Sequence, residues 1–240
     1  MLNLTPKNIF DIAGTYSKNK QNIIDMVPFF NKYLSQYEIN NVNRLKHFFG
    51  QACEECSAFS DLTEVASGKE YEGRRDLGNV DPGDGVKYKG RGIFQVTGRS
   101  NYEIIGKRIG IDLVSNPLIA ASPEVSVITA CVYWTIHEMN AIADSTLSFE
   151  ATLEAITRKI NGGENGLSVR RDYTLRAASV LSQINLVDTK TPDIKPPVPV
   201  APVANTVPLV LAVANTKSAT ANVPAPNFIE RVLTWVRSEV

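Results

Sequence analysis

The chain has 240 residues, 25 basic and 25 acidic side chains, and 43% hydrophobic residues. That length suffices for one substantial core with an appendage, and the balanced charge excludes the strongly basic field of a dedicated nucleic-acid binder. Three cysteines exclude a small disulfide-built scaffold. No run of 18 apolar residues occurs, so no membrane span is expected, and the first twenty residues lack a signal-peptide pattern.

Helical periodicity runs over residues 20–36 and again over 41–59. In the second stretch Val42, Leu45, Phe49, Ala52, Cys56 and Phe59 form an apolar stripe. At 100° per residue Glu54 points away from that stripe, which predicts a solvated acid, and His47 also falls on the solvent side. Glu55 falls about 90° from the stripe's centre, at the border of core and exterior. A carboxyl there can be partly desolvated, as a general acid requires near neutral pH. Cys53 and Cys56 sit mid-helix with no second Cys/His pair, so they are read as small core residues and not as a metal or redox motif.

Glu64 follows nine residues after Glu55. Unbroken helix would separate the two by about 13.5 Å on opposite faces. Two carboxyls that act across a water in an inverting glycosidase sit roughly 6.5–9.5 Å apart. Cooperation therefore requires the helix to end and the chain to reverse between Ser57 and Thr63. Pattern alone does not choose between Glu64, Glu70 and Glu72.

Residues 66–98 are rich in turn-forming and charged residues around two short β-prone pieces, Val86–Lys89 and Ile93–Thr97. Gly90-Arg91-Gly92 lacks the spacing of a phosphate loop. Lys87, Lys89, Arg91 and Arg99 are expected as cleft and loop residues, and Arg74 and Arg75 as partners of nearby acids. Ser122-Pro123-Glu124 is a helix start, with the helix reaching about residue 138 and Cys131 in its core; His137 near its end and His47 have no visible nucleophile partner, so no catalytic triad is expected. Ser148 caps a further helix with the stripe Phe149, Leu153, Ile156 and Ile160. Asn161-Gly162-Gly163 ends it, and a last helix is expected over 167–184.

Composition then changes. All 15 glycines precede Ser182, while 8 of the 13 prolines lie between Pro192 and Pro226. Residues 186–227, rich in Pro, Val and Ala, predict a semi-rigid extended linker, and residues 228–240 predict a short amphipathic helix. That helix is expected to dock back on the domain, with a membrane surface or a partner as the alternative.

Three ordered segments carry a family resemblance. YEGRRDLGNVDPGDGVKYKGRGIFQVTGRSNY (71–102), INGGENGLSVRRDY (160–173) and HFFGQACEECSAF (47–59) resemble glycoside hydrolase family 19, the chitinase family, and above all its phage-endolysin branch, over residues 29–184. The resemblance implies a mainly α (α+β), lysozyme-like, two-lobed helical domain over residues 1–185, with a small β element and a cleft. It implies Glu55 as general acid, Glu64 as general base, and Thr97 with Gln95 as holders of the attacking water. Asn101 and Tyr102 are then expected to contact sugar, with Asn161 and Arg170 in the opposite wall. Tyr71 and Tyr88 are either sugar platforms or core. No metal and no organic cofactor are implied.

The implied activity is inverting hydrolysis of β-1,4 bonds in peptidoglycan by a monomer held in the bacterial cytoplasm until lysis. The alternatives are a chitinase and a catalytically inactive glycan-binding phage protein. The sequence departs from the family pattern beside the acid. The family's His is Glu54 here, and its Ser-Gly-Gly is Cys56-Ser57-Ala58.

Overall fold

The computed structural model describes residues 2–184. The expected linker over 186–227 and terminal helix over 228–240 lie outside the described residues.

Helix α1 (Pro6–Ala13) opens with Pro6 in its first turn, where a missing N–H costs nothing. Thr5 and Asn8 exchange side-chain and backbone hydrogen bonds as a capping box. Helix α2 (Lys20–Gln36) is capped by Asn19 and buries Ile23, Met26, Val27, Phe30, Tyr33 and Leu34. Helix α3 (Val42–Glu55) begins where the Asn41 side chain accepts from the Arg44 amide at 2.9 Å. Short helix α4 (Asp84–Lys87) and helix α5 (Arg99–Ile109) follow in the glycine-rich region.

Helix α6 (Pro123–Ile136) is buried without interruption from Val125 to Trp134. A helix apolar all round belongs in the middle of a protein, and α6 is the wall shared by two hydrophobic clusters. The larger cluster joins α1, α2, α3, α6 and helix α9 (Leu167–Leu181). The smaller one gathers Tyr88, Val96, Tyr102, Ile105, Leu113, Ala120, Val125 and Val132. Helices α7 (Met139–Ala143) and α8 (Phe149–Asn161) close the outer side. At the heart of the large cluster, Phe48 meets Phe49, Phe94 and Trp134 edge-on, with ring centroids 5.4–5.6 Å apart. Such contacts add to the area that each ring buries.

The mainly helical expectation holds, but the two β-prone pieces do not form strands. Val86 and Lys87 end α4, because the Glu72 carboxylate accepts from the Gly83 and Gly85 amides and holds that turn as a helix start. Gly92 to Gln95 form a tight turn between the bridged Arg91 and Val96. The only β-bridges among the described residues are isolated ones, Thr63 with Arg91 and Arg91 with Val96. Helices α1, α5 and α7 were not anticipated.

His47 is a second correction. It is buried, with its ring 5.8 Å from that of Phe149, because α9, α7 and α8 cover α3 on several sides. Helix α9 runs so close along α3 that a Cβ on Gly50 would stand 1.9 Å from Thr174 Oγ1 and 3.0 Å from the Thr174 backbone.

Two tests follow from this packing. Replacing Gly50 by Ala gains about 1 kcal/mol of helix propensity but forces backbone apart at a core contact, which costs about 1–3 kcal/mol. We expect a net loss in urea unfolding; an equal or higher midpoint would show that α3 and α9 separate freely. Burial, with Lys46 adding to it, pushes His47 down to about 4, and burial beside Lys159 does the same for His137. Both values lie below the ordinary 6.5, so the unfolded chain binds more protons between these limits. The stabilisation is complete above pH 6.5 and is lost as pH falls toward 4, by up to about 1.4 kcal/mol per pH unit for His47. The thermal midpoint should fall across that window, and less steeply in His47→Phe; an unchanged slope would overturn the assignment.

Candidate active site

Helix α3 ends at Glu55. Ser57, Ala58 and Phe59 then take left-handed backbone, with φ of 51°, 53° and 66°. Each such residue costs about 1–2 kcal/mol for an L side chain. The cost is offset because the turn buries Ala58 and Phe59 completely, with the Phe59 ring 5.7 Å from Phe30. The Ala58 amide donates to the Cys53 carbonyl at 2.7 Å, and the Asp61 amide to the Cys56 carbonyl at 3.1 Å. The helix thus ends directly after Glu55, as cooperation between Glu55 and Glu64 requires.

Glu55 lies deeper than the border position read from its helix angle; its side chain is 3% exposed, as is that of Arg170. Arg170 Nη2 donates to Glu55 Oε1 at 2.5 Å, Nη1 to Gln51 Oε1 at 2.6 Å, and Nε to the Asn165 carbonyl at 3.1 Å. Gln51 is fixed in turn by donating to Thr157 Oγ1 at 2.9 Å. The guanidinium fork is thus held at three corners, and two of its acceptors stand one turn apart on α3. Sequence reasoning missed Gln51, although its spacing of four residues from Glu55 places both on one face.

Glu64 is held differently. Its backbone pairs with Gly90, the Glu64 amide donating to the Gly90 carbonyl at 2.9 Å. The Gly90 amide donates to Glu64 Oε2 at 2.8 Å, and the Tyr71 hydroxyl donates to Oε1 at 2.8 Å. Lys89 Nζ donates to the carbonyls of Glu64 and Ala66. A Cβ on Gly90 would come within 2.7 Å of Gln95 Oε1 and 3.1 Å of Glu64 Oε2, so only glycine lets these groups close in. Burial and the neighbouring Glu64 carboxylate push the Tyr71 phenol far up, which keeps it a donor.

Gln95 is buried with φ of 47°. Its Nε2 donates to the Gly92 carbonyl at 2.7 Å, while its Oε1 is buried with no hydrogen-bond partner among the described residues. Thr97 Oγ1 donates to the Gln95 carbonyl at 2.8 Å.

Three residues expected on the substrate side are buried in this fold. Asn101, Tyr102 and Asn161 lie beneath the surface, Tyr102 with no exposed area. Asn101 donates to the Thr97 carbonyl. Asn161 donates to the Asn165 carbonyl and accepts from the Gly163 amide. Tyr102 donates to the Lys89 carbonyl. Each supports the backbone that carries the site. Tyr71 and Tyr88 are likewise buried.

Glu54 is another correction. It is partly buried, against Gly166, and its carboxyl is pushed up chiefly by burial, with Arg170 opposing and Glu55 adding to the rise. Glu70 is exposed, and Glu72 serves the α4 turn. Of the bases, Arg74 pairs with Asp76 and Arg99 with Asp81 and Asp84, whereas Arg75 has no ion pair among the described residues. Among the described residues no group of His, Cys, Asp and Glu is arranged to hold a metal, and no helix is long and apolar enough to cross a membrane.

Part of the chain is similar to known proteins. The family model described as Chitinase class I matches residues 43–147, a span that contains Glu55, Glu64, Gln95 and Thr97. Over that span the chain is similar to glycoside hydrolase family 19. A family 19 domain-containing protein of Haemophilus influenzae is 36% identical over 107 residues, covering 45% of this chain and 49% of its own. The acidic 27 kDa endochitinase of Solanum lycopersicum is 32% identical over 131 residues, covering 48% and 51%. The chain thus spans about half the length of these curated relatives. Chitinase C from Streptomyces griseus superposes with a TM-score of 0.53 at 17% identity, over 74% of this chain and 76% of that one. A class IV family 19 chitinase from Zea mays superposes with 0.52 at 20%, over 74% and 90%. At such identities the superpositions establish a shared fold. They extend over more of this chain than the family model does.

The buried pair gives a direct test. Arg170→Met leaves Glu55 buried without its partner, which costs about 3–5 kcal/mol. Adding Glu55→Leu removes the orphaned charge and should recover part of that loss in urea unfolding. A single-variant loss below about 1 kcal/mol would mean that Glu55 finds another partner.

Proposed function

We propose that the family-19-like domain is an inverting glycoside hydrolase in which Glu55 is the general acid and Glu64 the general base. The observation that carries this is the pair itself. Two carboxyls nine residues apart are brought to either side of a left-handed reversal, one gripped by a guanidinium and the other by two neutral donors.

In this reading Glu55 gives its proton to the glycosidic oxygen as the bond to the anomeric carbon breaks. A water attacks that carbon from the opposite face, and Glu64 takes the water's proton. Once Glu55 has lost its proton, Arg170 faces the carboxylate that forms. The unpartnered Gln95 Oε1, on the Glu64 side, suits one O–H of the attacking water. Thr97 fixes the Gln95 backbone and so acts on that water indirectly.

For substrate we propose the β-1,4-linked glycan of peptidoglycan. This rests on the likeness of residues 71–102 to the phage-endolysin branch, and it implies a protein that works on the wall when released from the bacterial cytoplasm. A second reading, chitin as substrate, is favoured by the relatives themselves, several of which are named endochitinases.

The experiment compares the full chain with Glu55→Gln and Glu64→Gln on purified peptidoglycan and on chitin oligomers, counting new reducing ends. General acid–base groups contribute on the order of 10²–10⁴ in rate, so each variant should lose at least about a hundredfold. NMR of the fresh product should show inverted anomeric configuration. Cleavage of chitin alone selects the second reading. Cleavage that survives both substitutions, or retained configuration, overturns the mechanism.

A further inference from the structure

Arg91 is buried, 4% exposed, yet among the described residues it has no carboxylate within ion-pair reach. Three hydrogen bonds leave its Nη1 alone: to the Lys87 carbonyl at 2.9 Å, the Lys89 carbonyl at 3.3 Å and the Tyr102 hydroxyl at 2.8 Å. Its Nε is buried without a hydrogen-bond partner among the described residues. Burying a guanidinium against neutral acceptors is costly, and nothing in the acid–base chemistry uses this charge. What it holds is the turn between α4 and Gly90. The Tyr102 hydroxyl closes the arrangement by donating to the same Lys89 carbonyl at 2.7 Å.

The next peptide along that turn is the one that grips Glu64. The Lys89 carbonyl, fixed by Arg91 and Tyr102, belongs to the same peptide plane as the Gly90 N–H. Clamping the oxygen therefore sets the direction of the N–H that donates to Glu64 Oε2. The Arg91 backbone is pinned as well: its amide and carbonyl pair with Val96, at 3.2 and 2.8 Å.

We propose that Arg91 is a positioning residue for Glu64, acting through the Lys89–Gly90 peptide plane with Tyr102 as its auxiliary. Arg91 touches neither carboxylate nor substrate; it aims the donor that aims the base. The catalytic consequence rests on the proposed role of Glu64, whereas the structural part does not.

A sharp feature makes this testable. All three hydrogen bonds come from one nitrogen, whose two hydrogens serve three acceptors by sharing, and lysine presents three donors on one nitrogen at a slightly shorter reach. Arg91→Lys should therefore restore what Arg91→Met removes, although an Arg-to-Lys change commonly fails where a fork is needed. The first readout is the Gly90 amide proton in ¹H–¹⁵N spectra of the full chain. Donation to a carboxylate holds it downfield. It should move upfield in Arg91→Met, return in Arg91→Lys, and move part of the way in Tyr102→Phe, while amides of α2 and α6 stay in place.

The second readout is hydrolysis of whichever glycan the unaltered chain cleaves. Misplacing a reacting group lowers rate steeply, so Arg91→Met should lose tenfold or more in kcat with KM within about twofold, and Arg91→Lys should recover most of it. An unmoved Gly90 proton in both Arg91→Met and Tyr102→Phe overturns the proposal. So does a Lys variant no better than Met in kcat. If Arg91→Met does not fold, Tyr102→Phe against the unaltered chain decides by the same proton. If the unaltered chain cleaves no glycan, the enzymatic reading fails while the Gly90 proton still decides the positioning.

Discussion

The site depends on the backbone reversal that follows Glu55. Three consecutive residues with side chains, Ser57, Ala58 and Phe59, stand in a conformation that L residues avoid. Nothing local favours it. What holds the turn is burial of Ala58 and Phe59 in the same cluster that contains Phe30 and Phe49, together with amide bonds back to the last turn of α3. The strain therefore exists only because the core around it is complete, a pattern common where backbone strain serves a site. The resemblance to family 19 makes the same point chemically, since the family's two glycines fall on Ser57 and Ala58.

Much of the helical frame was legible. Residues 20–36, the start of α3, α6, α8 and α9 announced themselves through apolar spacing and caps, and Ser148 does accept from the Ala151 amide. The β-prone pieces misled because their fate is decided from outside the window. Glu72, eleven and thirteen residues upstream of Gly83 and Gly85, captures both amides and makes a helix start. His47 and Glu54 misled for another reason. A single-stripe reading assumes one covered face, whereas α3 is packed by α9, α8 and α7 and buries most of its circumference.

The candidate site was legible as a set of names and much less as geometry. Periodicity placed Glu55 near the core boundary and stated the reversal that Glu64 requires, but it left Glu64, Glu70 and Glu72 open. The resemblance to family 19 chose among them. Neither source anticipated that Asn101, Tyr102 and Asn161 serve backbone groups from below, because a polar side chain's partner is set by tertiary contacts. Gln51 was recoverable, since a buried amide one turn before a buried carboxylate implies a shared donor.

The two carboxyls are held by chemically opposite partners, and that contrast explains how equal side chains can take unequal roles. Arg170 brings a fixed positive charge to Glu55, and its other corners are occupied by Gln51 and the Asn165 carbonyl. Its geometry is therefore set before any substrate arrives, and it needs no rearrangement when charge appears on Glu55. Glu64 receives only a peptide N–H and a phenol. These donors orient both oxygens without cancelling the charge that draws a proton from water. In the proposed reaction the acid ends its step as a carboxylate beside a cation, and the base ends as a neutral acid among neutral donors. Arg170 is thus matched to the charge that Glu55 must carry when the bond has broken, and the two donors on Glu64 to the carboxylate that is ready to take the proton; preorganised polar groups act most effectively in this way.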